Sequence, residues 1–155
     1  PRFINQIKSK QEITITDPKM TRFSITMEEA LDFIIKVVKI GKGSEIFLPK
    51  LQAYSIMDIK KVLTDLLEDT NEKIIGIRPG EKLHETLISK EEIRYSWEID
   101  DMYMITNSIF DETKSFDPYT GIKRITNMTE YSSDNVKKMS HEHLKSLIQK
   151  SGLLK

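Results

Sequence analysis

No cysteine occurs in the chain. Disulfides and thiolate metal centres are thereby excluded, and the reducing cytoplasm is the expected location. A surplus of charge is missing too. The 24 lysines and arginines are matched by 24 aspartates and glutamates, so the formal net charge is zero. A protein that coats nucleic acid would be more basic, and no nucleic-acid partner is expected. Apolar runs extend over only a few residues. A bilayer-spanning helix needs roughly 20, so no membrane partner is expected, and no secretory signal is read. Glycine is scarce, with 6 in 155 residues, and none forms the Gly-x-Gly-x-x-Gly turn that cradles a dinucleotide. By itself the chain is therefore expected to bind no cofactor. His141 and His143 stand two apart and face different ways on a helix, so no metal site is expected. His84 reads as a helix-surface or interface residue.

What is present fits one ordinary globular domain: 155 residues, 38% apolar and 31% charged. The chain opens on Pro1-Arg2-Phe3 without an initiator methionine, and the expectation is a piece of a longer protein. Phe3, Ile4 and Ile7 have helical spacing, and Ile13 and Ile15 alternate with polar residues as in a short strand. Thr26 and Glu29 form a capping box ahead of a helix whose core face is expected to be Ala30, Leu31, Ile34, Ile35 and Val38. Ser44 to Leu48 reads as a strand. Ser55 and Asp58 cap a second helix with Ile59, Val62, Leu63 and Leu66 inside. Lys73 to Ile77 reads as a buried strand, Glu81 to Ile88 as a short helix, Ser89 and Glu92 as a capped turn, and Met102 to Thr106 as a strand. Residues 107–135 are polar and turn-rich, and an arm lying on another surface is expected there. Ser140 caps a last helix that ends near Gly152. The fold class is α/β, short strands alternating with helices, with too little sheet for a complete doubly wound domain.

One stretch carries candidate chemistry. In IIGIRPGEKLHE, residues 74–85, an apolar run leads into Arg78-Pro79-Gly80-Glu81. Pro79 fixes φ and Gly80 permits a tight bend, so Arg78 and Glu81 are presented rigidly. A guanidinium offers a flat fork of donors to phosphate or carboxylate, and a carboxylate can accept from sugar hydroxyls. The plainer alternative is that Arg78 pairs with Glu81 or a neighbouring loop, the commoner arrangement for an arginine beside a turn. Arg22, ahead of the first capped helix, is a second anion candidate, with a solvated loop arginine as its plainer reading. No nucleophile, base and orienter can be assembled, so no catalytic residue is assigned.

ITDPKMTRFSITMEEALDFIIKVV, SEIFLPK and IIGIRPGEKLHETLIS, in that order and spacing, resemble the C-terminal half of nucleotide-sugar 4,6-dehydratases. These are the inverting UDP-N-acetylglucosamine 4,6-dehydratases of surface-polysaccharide synthesis, some of them also 5-epimerases, within the extended short-chain dehydrogenases. The match is specific over residues 1–92, and the tail from Glu130 to Asn135 with the last helix is similar to the C-terminal segment of the capsule-type enzymes. Ser24 departs from the large apolar residue often found after Thr-Arg-Phe. The resemblance implies a nucleotide-sugar-binding lobe over residues 1–106 and a C-terminal extension, arm plus final helix, over 107–155. It implies that Arg78 and Glu81 contact the nucleotide sugar and that Arg22 reaches its UDP part. It places the NAD(P)-binding Rossmann half and the Tyr-x-x-x-Lys pair outside this chain (Tyr54 is followed by Asp58, Tyr131 by Asn135). The parent enzyme would then be an NAD(P)-dependent lyase or isomerase acting on UDP-sugars, and this chain alone inactive. The expected partners are a UDP-sugar and further copies of the chain, a homo-oligomer made through the arm. UDP-glucose 4-epimerase is the close alternative, and a non-catalytic binding or interaction module the alternative of another class.

Overall fold

Paired isoleucines organise the first part of the chain. In the computed structural model, which describes residues 1–106 and 119–154, helix α1 (Arg2–Lys8) buries Ile4 and Ile7, one helical turn apart. Strand β1 (Ile13–Ile15) buries both of its isoleucines and turns Thr14 outward, where the Gln6 amide donates to the Thr14 hydroxyl at 3.0 Å. These four isoleucines and Leu63 form one core cluster. Leu63 comes from α3 (Ile56–Leu66), whose capping box closes as the sequence predicts, Ser55 accepting from the Asp58 amide and Asp58 from the Ser55 amide. Helix α4 (His141–Lys150) is capped by Ser140 and buries Leu144.

The chain forms two interleaved compact units, one of Pro1–Ser24, Gln52–Glu85 and Ser133–Lys155, the other of Ile25–Leu51 and Thr86–Ser132. The first holds α1, α3, α4 and two small sheets. In one, β1 lies parallel to β5 (Glu72–Ile74). In the other, β2 (Thr21–Phe23) lies antiparallel to β4 (Ala53–Ser55), Arg22 opposite Tyr54.

The second unit is built on an antiparallel sheet of order β3-β8-β7-β9: Ile46–Pro49, Met102–Ile105, Ser96–Ile99 and Lys123–Arg124. All four β8 residues are buried, as suits an inner strand. Asp100 and Asp101 make the two-residue hairpin between β7 and β8, with Asp100 at φ +49°, a conformation aspartate tolerates better than most residues. Strand β6 (Thr86–Ile88) pairs antiparallel with β10 (Tyr131–Ser132). Helix α2 (Met27–Ile40) has the predicted capping box, Thr26 with Glu29.

Several expectations are corrected. The apolar stripe of α2 is not a core face: Leu31, Ile34, Ile35 and Val38 are all more than half exposed. Phe33 and Ile40 instead pack against the Met102–Met104 cluster with Phe47 and Trp97. Residues 81–88 are not helical but an extended loop running into β6, because their backbone groups pair with distant segments. The strand read over 73–77 covers only Glu72–Ile74 and its side chains are exposed. Of the arm, residues 107–118 lie outside the described residues. Residues 119–132 belong to the second unit, with Tyr119 and Tyr131 buried and β9 completing the sheet, and residues 133–135 belong to the first. Mixed α/β architecture stands, but among the described residues the strands run two to four residues and β1–β5 is the one parallel strand pair.

Candidate functional site

The Arg78-Pro79-Gly80-Glu81 turn projects from the first unit beyond β5. The Glu81 amide donates to the Arg78 carbonyl at 3.0 Å, and the Glu81 carboxylate accepts from the Arg78 amide at 3.3 Å. Gly80 sits at φ +81°, which an L-residue with a side chain adopts only under strain. A Cβ there would meet nothing within 4 Å, so the glycine serves the bend and not a close approach. Glu81 is thus tied to the backbone of the turn, while Arg78 is exposed and its guanidinium has no partner among the described residues. The plainer reading, Arg78 paired with Glu81, is met through the Arg78 backbone and not through its guanidinium.

Arg22 differs. Its Nη1 donates to the carbonyls of Thr21 (2.7 Å) and Leu83 (3.1 Å), and its Nη2 to the carbonyl of Lys82 (2.9 Å) and to Met20 Sδ (3.0 Å). Its Nε faces Glu85 Oε1 at 3.6 Å. Every N–H of the fork is directed at protein. As folded, Arg22 clamps the loop that carries Arg78 and Glu81, and a phosphate would have to displace these carbonyls. The three predicted residues therefore share one loop system, but the two guanidinium groups do not present themselves together to solvent.

Around the clamp lies a network that the sequence reading missed. Thr21 Oγ1 is 2.8 Å from His84 Nδ1 and 2.7 Å from Ser133 Oγ. Ser133 Oγ accepts from the Glu85 amide at 2.9 Å, the Ser133 amide donates to the Glu85 carbonyl at 2.8 Å, and Lys138 Nζ donates to the Ser133 carbonyl. Glu85 also accepts from the Phe23 amide at 2.9 Å. Tyr54, opposite Arg22, has its hydroxyl pKa raised by burial, and nearby Glu85 adds to the shift. His84 is thus a hydrogen-bonded member of the site and not a helix-surface residue. The signal was the recurrence of Ser, Thr and His beside both motif segments, which helical spacing obscured.

The absence of a Tyr-x-x-x-Lys spacing also needs correction: Tyr119 stands four residues before Lys123. On a helix such a pair would share a face. Here Lys123 belongs to β9, and the Tyr119 hydroxyl, 3.1 Å from the Lys42 amide, has its pKa raised by burial and by Glu45. Tyr119 lies in a bend ahead of β9, so the two residues do not share a helix face. The junction of β4 with α3 runs through Ser55 and Ile56 with no glycine-rich turn.

A family model described as polysaccharide biosynthesis protein matches residues 1–107. The chain belongs to that family. Similar curated relatives include a protein named UDP-glucose 4-epimerase from Rickettsia massiliae (strain Mtu5), 35% identical over 149 residues, covering 96% of this chain and 44% of the relative. The protein of that name from Rickettsia rickettsii (strain Sheila Smith) is also 35% identical with the same coverage. Among solved structures, Pen from Bacillus thuringiensis superposes with a TM-score of 0.79 at 34% identity, over 99% of this chain and 44% of that one. The chain thus spans less than half the length of these relatives, and its fold is mixed α/β with several small sheets.

Proposed function

We propose that this chain is the UDP-sugar-binding portion of a nucleotide-sugar-modifying enzyme of the extended short-chain dehydrogenase type, serving surface-polysaccharide synthesis. The observation that carries this is the rigid Arg78-Pro79-Gly80-Glu81 turn, with one exposed, unengaged guanidinium held on a loop clamped from beneath by Arg22. Arg78 binds a diphosphate oxygen pair through its planar fork. Glu81, its carboxylate fixed by the Arg78 amide, accepts from a hydroxyl of the ligand. Arg22 acts as a positioning residue: it holds the loop and reaches the UDP part only through it. Proton and redox chemistry is assigned to the portion that the longer relatives carry outside the matched 44% of their length.

The leading reaction is UDP-N-acetylglucosamine 4,6-dehydration, with or without 5-epimerisation, supported by the combined motifs TDPKMTRF and GIRPGEKLHE. The names of the Rickettsia relatives favour a second reading, 4-epimerisation of a UDP-hexose. Both begin with the same ligand class, so both need the same turn. Isothermal titration with UDP-N-acetylglucosamine tests the shared step. Arg78→Ala is expected to weaken binding by about 1.5–3 kcal/mol, the range for a hydrogen bond to a charged group, or roughly 10- to 150-fold. Unchanged affinity removes Arg78 from the site.

A further inference from the structure

The side chains of Ser133, Thr21 and His84 form a hydrogen-bond chain with one consistent direction. The Glu85 amide donates to Ser133 Oγ at 2.9 Å, so that oxygen is an acceptor. Ser133 is fully buried, and its hydroxyl proton has one acceptor in reach among the described residues, Thr21 Oγ1 at 2.7 Å. Thr21 then has its own proton left to give, and His84 Nδ1 lies 2.8 Å away. The reverse order, imidazole to Thr21 to Ser133, would strand the Ser133 proton in the interior without an acceptor, which is costly. The direction therefore runs from the Glu85 amide through Ser133 and Thr21 into Nδ1, and His84 carries its ring proton on Nε2. All four residues belong to the first compact unit.

His84 is half-buried, and its Nε2 has no partner among the described residues. None of their buried polar side-chain atoms lacks a partner, so Nε2–H lies at the surface. It is a donor on a ring locked at its other nitrogen. Arg78 is exposed on the same loop. The bond from the Glu81 amide to the Arg78 carbonyl folds that end of the loop into a tight turn, and the three residues from Glu81 to His84 span at most about 10 Å. One ligand of nucleotide-sugar size can touch both the turn and the ring. Resting on the reading above, we infer that His84 Nε2–H is a further donor to the nucleotide sugar, giving a hydrogen bond to one of its oxygens. Nδ1, held by Thr21, fixes the tautomer and orients the ring. The position selects an oxygen acceptor, because a ring nitrogen that carries its proton neither accepts a hydrogen bond nor binds a cation.

The test titrates the isotopically labelled chain with UDP-N-acetylglucosamine and follows the histidine ring nitrogens by NMR. The free chain is expected to show His84 protonated at Nε2 and bare at Nδ1, and the ligand to shift Nε2 more than Nδ1. His84→Asn places an amide oxygen near the position of Nδ1, so it keeps an acceptor for Thr21 and removes the outer donor. That variant is expected to bind UDP-N-acetylglucosamine about tenfold more weakly, with hydrogen exchange over residues 78–85 as in the unaltered chain. If the substitution loosens the loop, the Nε2 response of the unaltered chain decides. A proton on Nδ1, an Nε2 signal indifferent to saturating ligand, or full affinity in His84→Asn overturns the inference. Binding lost in Arg78→Ala but intact in His84→Asn removes His84 alone and leaves the functional reading standing. An unaltered chain that does not bind UDP-N-acetylglucosamine sinks that reading, and this inference with it.

Discussion

Arg22→Ala separates a clamp from a substrate ligand. The substitution removes three hydrogen bonds to carbonyls, those of Thr21, Leu83 and Lys82, and the contact with Met20 Sδ. Each bond from a charged donor contributes about 1.5–3 kcal/mol in isolation. The contributions do not add, because the Lys82 carbonyl is exposed enough to take water in place of the guanidinium. The Glu85 partner is 43% exposed at 3.6 Å, so that ion pair adds less than about 1 kcal/mol. The net expectation is a loss of about 2–4 kcal/mol, concentrated in the loop from Arg78 to Glu85. Arg22→Lys keeps the charge but not the planar fork, and is expected to recover less than half of the loss. Urea unfolding followed by circular dichroism gives the total, and hydrogen exchange over residues 78–85 gives its location. A stability change below about 0.5 kcal/mol with unaltered exchange would refute the clamp. If that result came with weaker UDP binding, Arg22 would act as a direct phosphate ligand.

Two further outcomes follow from buried hydroxyls. Ser133 is fully buried, and its Oγ accepts from the Glu85 amide and bonds Thr21. Ser133→Ala is expected to cost about 1–3 kcal/mol in urea unfolding by leaving those groups unpaired. Tyr131 is pushed up to about 12 from 10.0, chiefly by burial. Its folded-state pKa is raised, so its contribution is fully present below about pH 10 and is lost as pH climbs toward 12. The melting temperature is expected to fall across that alkaline window, and less steeply in Tyr131→Phe; Tyr54, Tyr103 and Tyr119, also raised, keep part of the slope. Identical alkaline slopes in the two proteins would count against this assignment.

Local signals in the sequence were legible and distant ones were not. The boxes at Thr26–Glu29 and Ser55–Asp58 and the Ser89–Glu92 turn close over three residues, so a pattern of that length contains all the participants. Strands β2, β4, β6 and β10 are two or three residues long, and their partners lie 30 or more positions away. No periodicity can develop over so short a run. Leu83 and Leu87 do have helical spacing, but Leu83 gives its carbonyl to the Thr21 amide, and the loop stays extended. The amphipathic stripe of α2 was read correctly as a pattern and wrongly as a core, since Phe33 and Ile40, not Leu31, Ile34, Ile35 and Val38, face the Met102–Met104 cluster. At the site, the Arg78-Pro79-Gly80-Glu81 bend was legible from its own residue types. The clamp was not, since Arg22 binds carbonyls some 60 residues away and a carbonyl has no signature in sequence.

The most direct measurement follows the backbone amides of the isotopically labelled chain by NMR during titration with UDP. Progressive, saturable shifts centred on Gly76 to Glu81, abolished by Arg78→Ala with the rest of the spectrum preserved, are the result this account requires. A spectrum indifferent to millimolar UDP, or shifts confined to other segments, would contradict the assignment of that turn as the diphosphate contact.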